Sequence, residues 1–294
     1  MIFKEDRCMK KVIKYSFLVI VIAIVSVLLA LVINEKINQK VHLTEYTYID
    51  SRIPASFDDS KILFLSDLHQ APFAEDIISY AKDILPDFFV ITGDMAQLPD
   101  TKIDETLKIV KALNEMKIPV YAVSGNHERQ GGEYDRIIDE LWAADVYMLE
   151  NSSIEIEKNG GKITLVGIKD PRHNEVTEYK EKVIKENIAY ELSKYPDNFS
   201  ILLNHRSDIY PVVKDTGADL ILSGHLHGGI IRLPFVGGLI GKNGENSRLP
   251  AYEYGVIKEG ESATMIVSGG CDKNPKKKRY FNPPELLLIT LKRK

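Results

Sequence analysis

The sequence predicts an α/β domain in which two mixed β-sheets face each other, with helices outside both sheets, preceded by one transmembrane helix. Three features indicate this architecture. Apolar strands and amphipathic helices alternate from about residue 60 onward. Several strands are unbroken apolar runs, which is typical of strands covered on both faces. A long uncharged segment lies near the N-terminus.

The composition is that of an ordinary globular protein. Of the 294 residues, 44% are hydrophobic and 27% are charged, which permits a sizeable core. The net charge is −4 at pH 7, and this lack of a basic excess disfavours a nucleic-acid partner. No linker rich in Pro, Gly or Ser divides the chain beyond the N-terminal segment. We therefore expect one folded domain.

The N-terminal segment has the composition of a membrane span. Phe17 to Ile33 are seventeen uncharged residues, fourteen of which are Leu, Ile, Val or Phe. They favour membrane insertion by about 4 to 8 kcal/mol. We predict an anchor at residues 12–34 that follows a short N-terminus at residues 1–11. A buried core helix is disfavoured because no polar face exists. A cleaved signal peptide stays open, although no small-x-small cleavage site follows.

Basic residues flank this segment unevenly. Five precede or begin it and two follow it: Lys4, Arg7, Lys10, Lys11 and Lys14, then Lys36 and Lys40. The positive-inside rule predicts a cytoplasmic N-terminus and places residues 35–294 outside the cytoplasm, in a single-pass protein of the cell membrane. Cys8 and Cys271 would then lie on opposite sides of the membrane and could form no disulfide.

Strands and helices alternate in the first half of the domain. A connector and first strand occupy residues 35–59, with the strand at Val41–Asp50, and the main domain spans residues 60–294. Further strands are predicted at Ile62–Ser66, Asp87–Thr92 and Pro119–Val123, and helices at Ala74–Ile84, Thr101–Met116 and Glu133–Ala144. Asp100 or Thr101 is the expected N-cap of the second of these helices. The β-α-β-α-β order predicts parallel strands.

The second half has a different pattern. Ser153–Ile156 and Ile163–Ile168 predict paired strands around the turn Asn159-Gly-Gly. A helix is predicted at Glu175–Lys194. Four further strands are expected to complete a second sheet: Phe199–Asn204, Leu220–Ser223, Ala263–Val267 and Leu286–Leu291.

Polar side chains follow the buried strand Ile62–Ser66. Asp67 and His69 come directly after it, two residues apart, so they project to the same side of an extended chain. Open α/β sheets place their chemistry at the carboxyl ends of strands. An Asp-x-His triplet is nevertheless common by chance and carries little weight alone.

Each later buried strand of this kind ends in similar residues. The turns are Gly93-Asp94, Gly125-Asn126-His127-Glu128, His205 and Gly224-His225-Leu226-His227. Five of the seven histidines of the chain fall in the five turns. The glycines permit sharp turns that bring side chains close to a shared centre. The sequence therefore predicts one metal site assembled from all five turns.

The donor set indicates the chemistry. Carboxylates, imidazoles and an amide oxygen suit Mn²⁺, Fe or Zn²⁺ better than Mg²⁺ or Ca²⁺, and the absence of cysteine from the turns excludes a structural zinc knuckle. Two divalent ions about 3.5–4 Å apart share a bridging carboxylate and lower the pKa of a bridging water. We expect the resulting hydroxide to attack phosphorus in a phosphoester.

In order and spacing, these motifs resemble the calcineurin-like metallophosphoesterase superfamily over about residues 60–230. The resemblance implies a four-layer α/β/β/α sandwich. It also implies seven metal ligands: Asp67, His69 and His227 at one ion, Asn126, His205 and His225 at the other, and Asp94 between them. His127 would bind no metal and would protonate the leaving group or stabilise the transition state. A non-catalytic metal-binding module is disfavoured because none of these eight residues is missing.

A narrower resemblance is to bacterial phosphoesterases with an N-terminal membrane anchor or export signal. The motifs are Gly228-Gly229, Arg232-Leu-Pro234, Val267-Ser268 and Asn282-Pro-Pro-Glu285. Ile230 stands where that group has Gln, and Gly269-Gly-Cys271 where it has Gly-Leu-Gly, which bears on the substrate. The chain also lacks the Asp-Arg-Gly continuation that protein Ser/Thr phosphatases carry after their bridging aspartate, since Met95-Ala-Gln97 follows Asp94. A protein phosphatase is therefore disfavoured.

Three features bear on the substrate. The apolar segment Ile230–Ile240 is either a core strand and turn or, through Phe235, Val236, Leu239 and Ile240, a loop that touches a bilayer or a lipid tail. A basic run is either a solvated loop or an attractor of anionic groups; it comprises Lys273, Lys276, Lys277, Lys278 and Arg279. Three arginines lie beside the motifs as candidate phosphate ligands: Arg129, Arg206 and Arg232.

The predicted function is therefore a membrane-anchored dimetal phosphoesterase. Its substrate would be a phosphomonoester or phosphodiester, with a lipid or another component of the cell envelope preferred because the anchor holds the site near the membrane. The alternative enzyme is a pyrophosphate hydrolase of the UDP-diacylglucosamine type. The sequence leaves the oligomeric state open.

Overall fold

The computed structural model describes residues 2–171, 178–233, 235–240, 250–273 and 278–294, with side chains from residue 13 onward. Lys276, Lys277 and Pro234 lie outside the described residues, as do residues 175–177 of a predicted helix. The side chains of Cys8 and of the four basic residues before residue 12 also lie outside them. The chain divides into two compact units, Met1–Gln39 and Lys40–Lys294.

The first unit contains one long helix. Helix α1 spans Ile2–Ile37, and its segment Ile13–Ile37 is long and apolar enough to cross a membrane, with a mean hydropathy of 3.3 over an 18-residue window. Twenty-five helical residues extend about 37 Å, against about 30 Å for a hydrocarbon core. The predicted helix is confirmed. Its length and composition fit a membrane span, and the same two properties fit a signal sequence.

The second unit contains fourteen strands and six α-helices among its described residues. The helices are α2 (Ala74–Ile84), α3 (Asp104–Glu115), α4 (Asn126–Gln130), α5 (Tyr134–Ala143), α6 (Glu178–Ser193) and α7 (Tyr210–Val213). The first seven strands are β1 (His42–Asp50), β2 (Lys61–Leu65), β3 (Phe88–Thr92), β4 (Val120–Val123), β5 (Val146–Met148), β6 (Ser152–Lys158) and β7 (Gly161–Gly167). The others are β8 (Phe199–Arg206), β9 (Leu220–Gly224), β10 (Arg232–Leu233), β11 (Gly237–Gly238), β12 (Gly255–Ile257), β13 (Thr264–Val267) and β14 (Glu285–Arg293).

Two six-stranded mixed sheets form the centre of this unit. The first has the strand order β1-β14-β2-β3-β4-β5, and the second has the order β12-β13-β9-β8-β7-β6. Strands β2, β3, β4 and β5 pair in parallel, as the alternation of strands and helices predicts. β6 and β7 form the expected antiparallel hairpin, in which Asn159 and Gly160 both have positive φ, as a two-residue type I′ turn requires.

Three apolar cores separate four layers. The middle core lies between the sheets, and an outer core lies under the helices on each side. Alternate residues of β2 show how one strand serves two cores: Ile62 and Phe64 point into the middle core, whereas Leu63 and Leu65 pack under α2 and α3. Each such side chain contributes roughly 1.5–3 kcal/mol of burial free energy. The predicted α/β/β/α sandwich is confirmed.

Strand β14 corrects one prediction. The run Leu286–Leu291 was expected in the second sheet, but β14 lies in the first sheet, parallel to β1 and antiparallel to β2. Leu287 pairs with Thr44 on one side and with Phe64 on the other. A strand that is apolar on both faces packs equally well in the middle of either sheet, so its composition does not identify the sheet.

Helix α3 corrects another prediction. It begins at Asp104, and Ile103 occupies the N-cap position, not Asp100 or Thr101. The carbonyl of Thr101 instead accepts a hydrogen bond from Arg136 Nη2 at 2.9 Å. Asp104 and Glu105 fill the first turn, where negative side chains interact favourably with the helix dipole.

Candidate metal centre

The carboxyl ends of strands from both sheets bring the motif residues together. Asp67 and His69 follow β2, and Asp94 follows β3. Asn126 and His127 begin α4 directly after β4, while the second sheet contributes one histidine from β8 and two after β9: His205, His225 and His227. All eight side chains are buried except that of His127, which is half-buried.

The backbone turns sharply at these positions. Five of the eight residues have positive φ, between 47° and 79°: Asp67, His69, Asp94, His225 and His227. Left-handed backbone at a residue with a side chain costs about 1 kcal/mol or more. Such strain persists only where surrounding contacts impose it, and its clustering here indicates a functional site.

Two glycines make room for the cluster. A Cβ atom at Gly125 would collide with Asp94 Oδ1 and would lie 2.9 Å from His205 Cε1. A Cβ atom at Gly224 would collide with Ser66 Oγ and Asp67 Oδ2. Any side chain at either position would therefore displace one of the clustered carboxylates.

The cluster consists of two groups of donor atoms. Asp67, His69, Asp94 and His227 form the first group, and the donor atoms of these residues lie within 4.8 Å of one another. His69 Nε2 is 3.4 Å from Asp94 Oδ2, and His227 Nε2 is 3.4 Å from Asp67 Oδ1. This spacing fits a single ion between a carboxylate pair and two imidazoles.

Asp94 also belongs to the second group, with His205 and His225. Its Oδ1 atom lies 3.4 Å from His205 Nε2. His205 Nε2 is in turn 3.1 Å from His225 Nδ1 and 3.2 Å from the amide oxygen of Asn126. One carboxylate thus has one oxygen toward each group, which is the arrangement of a ligand that bridges two ions.

Three imidazole rings are oriented by hydrogen bonds from their outer nitrogens. The Nδ1 atom of His69 lies 3.2 Å from the carbonyl of Ala96, and that of His205 lies 2.7 Å from the carbonyl of Thr92. The Nδ1 atom of His227 lies 3.0 Å from Asp272 Oδ1. With the proton held on Nδ1, the Nε2 lone pair faces the cluster, as in metal-binding histidines generally.

The surroundings of His227 Nε2 fit a bound metal ion. The Nε2 atom of His227 is buried and makes no hydrogen bond to any part of the chain that the structure describes. A buried polar atom of this kind normally has a partner. A divalent cation between the first group of donors would satisfy it and neutralise the adjacent carboxylates.

The side chain of Asp272 has a role that the sequence did not suggest. Burial opposes its ionisation, but His227 and Arg279 outweigh burial and hold the pKa of Asp272 well below its usual range. Arg279 pairs with Asp272 and also donates to the carbonyls of Gly269 and Asn282. Arg279 is 4% exposed, so the interpretation of the whole basic run as a solvated loop is wrong for this residue.

Glu128 joins two of the turns. Its carboxylate accepts the backbone N–H groups of Asp94 at 2.9 Å, Gly125 at 2.7 Å and Ala96 at 2.8 Å. Burial, followed by the nearby charge of Asp94, raises the pKa of Glu128 above its ordinary value. The sequence places Glu128 in a motif, but only the structure shows which backbone groups it holds.

His127 lies at the edge of the cluster. Its Nε2 atom is 3.8 Å from Asp94 Oδ2, and its ring packs edge-on against that of His69, with 4.3 Å between centroids. Its Nδ1 atom accepts the backbone N–H of Leu98 at 3.3 Å. A neutral His127 therefore carries its proton on Nε2, the nitrogen that faces the cluster.

Each of the three candidate phosphate-binding arginines donates a hydrogen bond to another residue of the domain. Arg206 is buried, with Nε donating to Asp170 Oδ2 at 2.7 Å and Nη1 lying 3.0 Å from His225 Nε2. Arg129 is half-buried, and its Nε donates to the carbonyl of Asp170. Arg232 donates to the carbonyl of Gly228 at 3.1 Å and packs over the ring of Tyr254. Of the three, the burial of Arg206 fits a support for His225 better than a contact to substrate.

The family model for calcineurin-like phosphoesterases matches residues 60–229, more than half of the chain. The chain is 30% identical over 268 residues to the uncharacterized metallophosphoesterase YkuE of Bacillus subtilis, covering 86% of each protein. It is 28% identical over 253 residues to the uncharacterized protein YpbG of the same bacterium, covering 85% of this chain and 87% of that protein.

A third relative has a more specific name. Over 186 residues the chain is 32% identical to the phosphodiesterase YaeI of Escherichia coli, covering 60% of this chain and 64% of that protein. Residues 60–229, which match the family model, include every strand end and turn that forms the buried cluster. Asp272 and Arg279 lie beyond the matched residues. The chain therefore belongs to the calcineurin-like phosphoesterase family and is a metal-dependent phosphoester hydrolase with a dimetal centre.

Proposed function

We propose that this protein is a membrane-anchored phosphodiesterase in which Asp94 bridges two divalent ions. The observation that supports this most directly is that the two oxygens of Asp94 face two separate groups of donors. In this proposal the first ion is held by Asp67, His69 and His227. Asn126, His205 and His225 hold the second.

The donor set favours Mn²⁺, Fe or Zn²⁺. Imidazole nitrogens and carboxylate oxygens are mixed in both groups, and such sets suit these metals better than Mg²⁺ or Ca²⁺. When bound, the ions would supply a water of lowered pKa and positive charge at the oxygens of the phosphoryl group. Glu128 and Asp272 hold Asp94 and His227 in place for this purpose.

His127 is the proposed proton donor. Because its Nδ1 atom accepts a backbone N–H, a neutral ring presents Nε2–H toward the cluster. Half-buried beside two buried groups of ligands, it lies where the departing oxygen of a substrate can reach it. Transfer of this proton to the leaving alcohol would contribute about 10²- to 10⁴-fold to the rate.

The substrate of the protein is a phosphodiester, and its catalytic domain lies outside the cytoplasm. The relative YaeI is named a phosphodiesterase, which supports a diester substrate for this chain. Helix α1 would hold the domain at a membrane, and the excess of basic residues before it supports an extracytoplasmic location. A lipid or another component of the cell envelope is then the substrate class within easiest reach.

The first experiment compares p-nitrophenyl phosphate with bis-p-nitrophenyl phosphate, using the full-length protein in detergent micelles. Each substrate is assayed with Mn²⁺, after chelation, and with Asp94→Asn. Asp83→Asn, at an exposed position on α2, is the matched control. We expect faster turnover of the diester, loss of turnover on chelation, and loss in Asp94→Asn alone. Turnover that persists after chelation, or in Asp94→Asn with full metal content, would refute the bridging role.

A further inference from the structure

We propose that an apolar lip beside the metal centre docks onto the lipid bilayer that holds helix α1. The lip consists of Leu233, Phe235, Val236, Ile240 and Phe281. This inference rests on the membrane anchoring proposed above and goes beyond it, since it assigns a second, side-chain contact with the membrane. The bilayer surface is the single occupant proposed.

All five side chains of the lip are exposed. Phe235 is fully exposed, and 53% of Phe281 and 54% of Val236 are accessible. Phe235 and Phe281 line one groove of about 350 Å³ together with Leu233 and Arg232, although they are far apart in sequence. Large apolar side chains clustered in this way on a domain surface mark a place of contact with a membrane or a partner.

Hydrogen bonds fix the lip to the turn that carries His227. The side-chain amide of Asn282, the residue after Phe281, donates to the carbonyl of His227 at 2.7 Å. The backbone N–H of Ile240 donates to the carbonyl of Gly229, and that of Arg232 to the carbonyl of Tyr280. Whatever the lip touches is therefore held within a few residues of a proposed metal ligand.

The lip also lies near the point where the chain joins the domain. The backbone N–H of His42, at the start of β1, donates to the carbonyl of Pro284 at 2.9 Å. Phe281 is three residues before Pro284, which places it within about 11 Å of this point. Only four residues lie between Ile37, the last residue of α1, and His42, so the two are at most about 18 Å apart. A membrane at the end of α1 is thus within reach of the lip.

Two lysines that shortly precede Phe281 in the sequence fit contact with a lipid surface. Lys273 and Lys278 are exposed in the segment that leads into Phe281. Lysines beside an apolar cluster attract the anionic headgroups of a bilayer while the apolar side chains enter its interface. This complementarity, with the nearby anchor, favours a bilayer over a second protein as the occupant of the lip.

A tryptophan probe tests the proposal in the full-length protein. The chain has one tryptophan, Trp142 on α5, which is 59% exposed. α5 packs next to β5, the edge strand of the first sheet opposite β1, and five strand spacings of about 4.8 Å separate β5 from β1 by about 24 Å. The wild-type protein, in which Trp142 is the single tryptophan, therefore serves as the control for a tryptophan outside the lip. Phe235→Trp and Phe281→Trp, each combined with Trp142→Phe, place the only tryptophan in the lip.

Each protein is placed in nanodiscs of phosphatidylcholine and phosphatidylglycerol in equal parts, with and without brominated acyl chains. We expect bromine to quench the tryptophan at position 235 or 281 several-fold more than Trp142. Lys273→Glu with Lys278→Glu should reduce that quenching. Equal, weak quenching at all three positions would overturn the proposal. A blue-shifted emission that depends on protein concentration and not on bromine would also overturn it, in favour of contact between two copies.

Turnover of bis-p-nitrophenyl phosphate in the same nanodiscs separates the two proposals. Turnover without bromine quenching would support the phosphodiesterase proposal and refute the docking of the lip onto the bilayer. Quenching without turnover would support the docking of the lip and refute the phosphodiesterase proposal. A folded-state check by thermal unfolding accompanies each variant, so that loss of quenching through misfolding is recognised.

Discussion

The Nδ1 atom of His227 lies 3.0 Å from Oδ1 of Asp272, and both side chains are buried. Asp272 in turn pairs with the buried guanidinium of Arg279. The three residues form a chain from the proposed metal centre to the segment before β14. A carboxylate behind a metal-binding histidine fixes the orientation of the ring and increases its basicity.

Asp272→Asn tests this relationship. The substitution keeps the shape of the side chain but removes its charge, so we expect metal affinity or turnover to fall about 10- to 100-fold. The measurement is turnover as a function of free Mn²⁺ concentration. Asp83→Asn is the control, and unchanged Mn²⁺ dependence in Asp272→Asn would contradict the role assigned to Asp272.

Glu128→Gln is expected to destabilise the domain. The carboxylate accepts three backbone N–H groups, and an amide NH₂ in place of one oxygen would leave at least one of them unsatisfied. An unsatisfied buried donor costs about 1–3 kcal/mol. Denaturant unfolding of the chelated protein measures this loss. Glu115→Gln, at an exposed position, should change stability by less than about 0.5 kcal/mol. Equal values for the two variants would refute the prediction.

His127→Asn should separate leaving-group protonation from metal binding. The amide oxygen of asparagine can still accept the N–H of Leu98, whereas the proton on Nε2 is lost. We expect kcat to fall about 10²- to 10⁴-fold for a dialkyl phosphodiester, whose leaving group needs a proton. The loss for bis-p-nitrophenyl phosphate should be smaller because its leaving group departs as an anion. Equal losses on both, at unchanged metal content, would indicate charge stabilisation instead.

Loading of the metal centre should release a proton. Burial alone would lower the pKa of His205, but the carboxylates of Asp94 and Asp67 outweigh burial and raise the pKa to about 9. An incoming ion must displace that proton from Nε2, so its affinity should rise about tenfold per pH unit up to about pH 9. Calorimetric Mn²⁺ titrations in two buffers of different ionisation enthalpy measure the release. Identical heats in both buffers at pH 7 would contradict it.

The same pKa predicts how stability of the chelated protein depends on pH. A histidine whose pKa is raised above its unfolded value of about 6.5 stabilises the fold fully below pH 6.5. That contribution is lost as pH rises through about 9. The unfolding temperature of chelated protein should therefore decline over this range, and His205→Asn should remove this part of the decline.

The sequence predicts which turns lie together because the motif residues directly follow apolar strands. Wherever a buried parallel strand ends, the next residues lie at one edge of the sheet, so Asp67, Asp94 and His225 are placed by chain order alone. Asp272 and Arg279 follow no such rule. Neither residue belongs to a helix or a strand, and only tertiary packing brings them behind His227.

Dependence on tertiary packing also explains why the sequence predicted the wrong sheet for β14. Alternate residues of β14 point into two different apolar cores, Leu286 and Leu288 into the outer core and Leu287 and Ile289 into the middle core. No polar face distinguishes one sheet from the other. Strand pairing over more than two hundred residues of chain is therefore information that hydrophobic periodicity does not contain.

The position of β14 has a consequence for biosynthesis. β2 is among the first strands to leave the ribosome, yet its neighbour on one side is the strand that begins at Glu285. At about 5–20 residues per second, the intervening chain takes some tens of seconds to be made. During that time β2 has an apolar, unpaired edge, which is a template for aggregation. The nascent chain must therefore be kept apart from its neighbours until translation has passed β14.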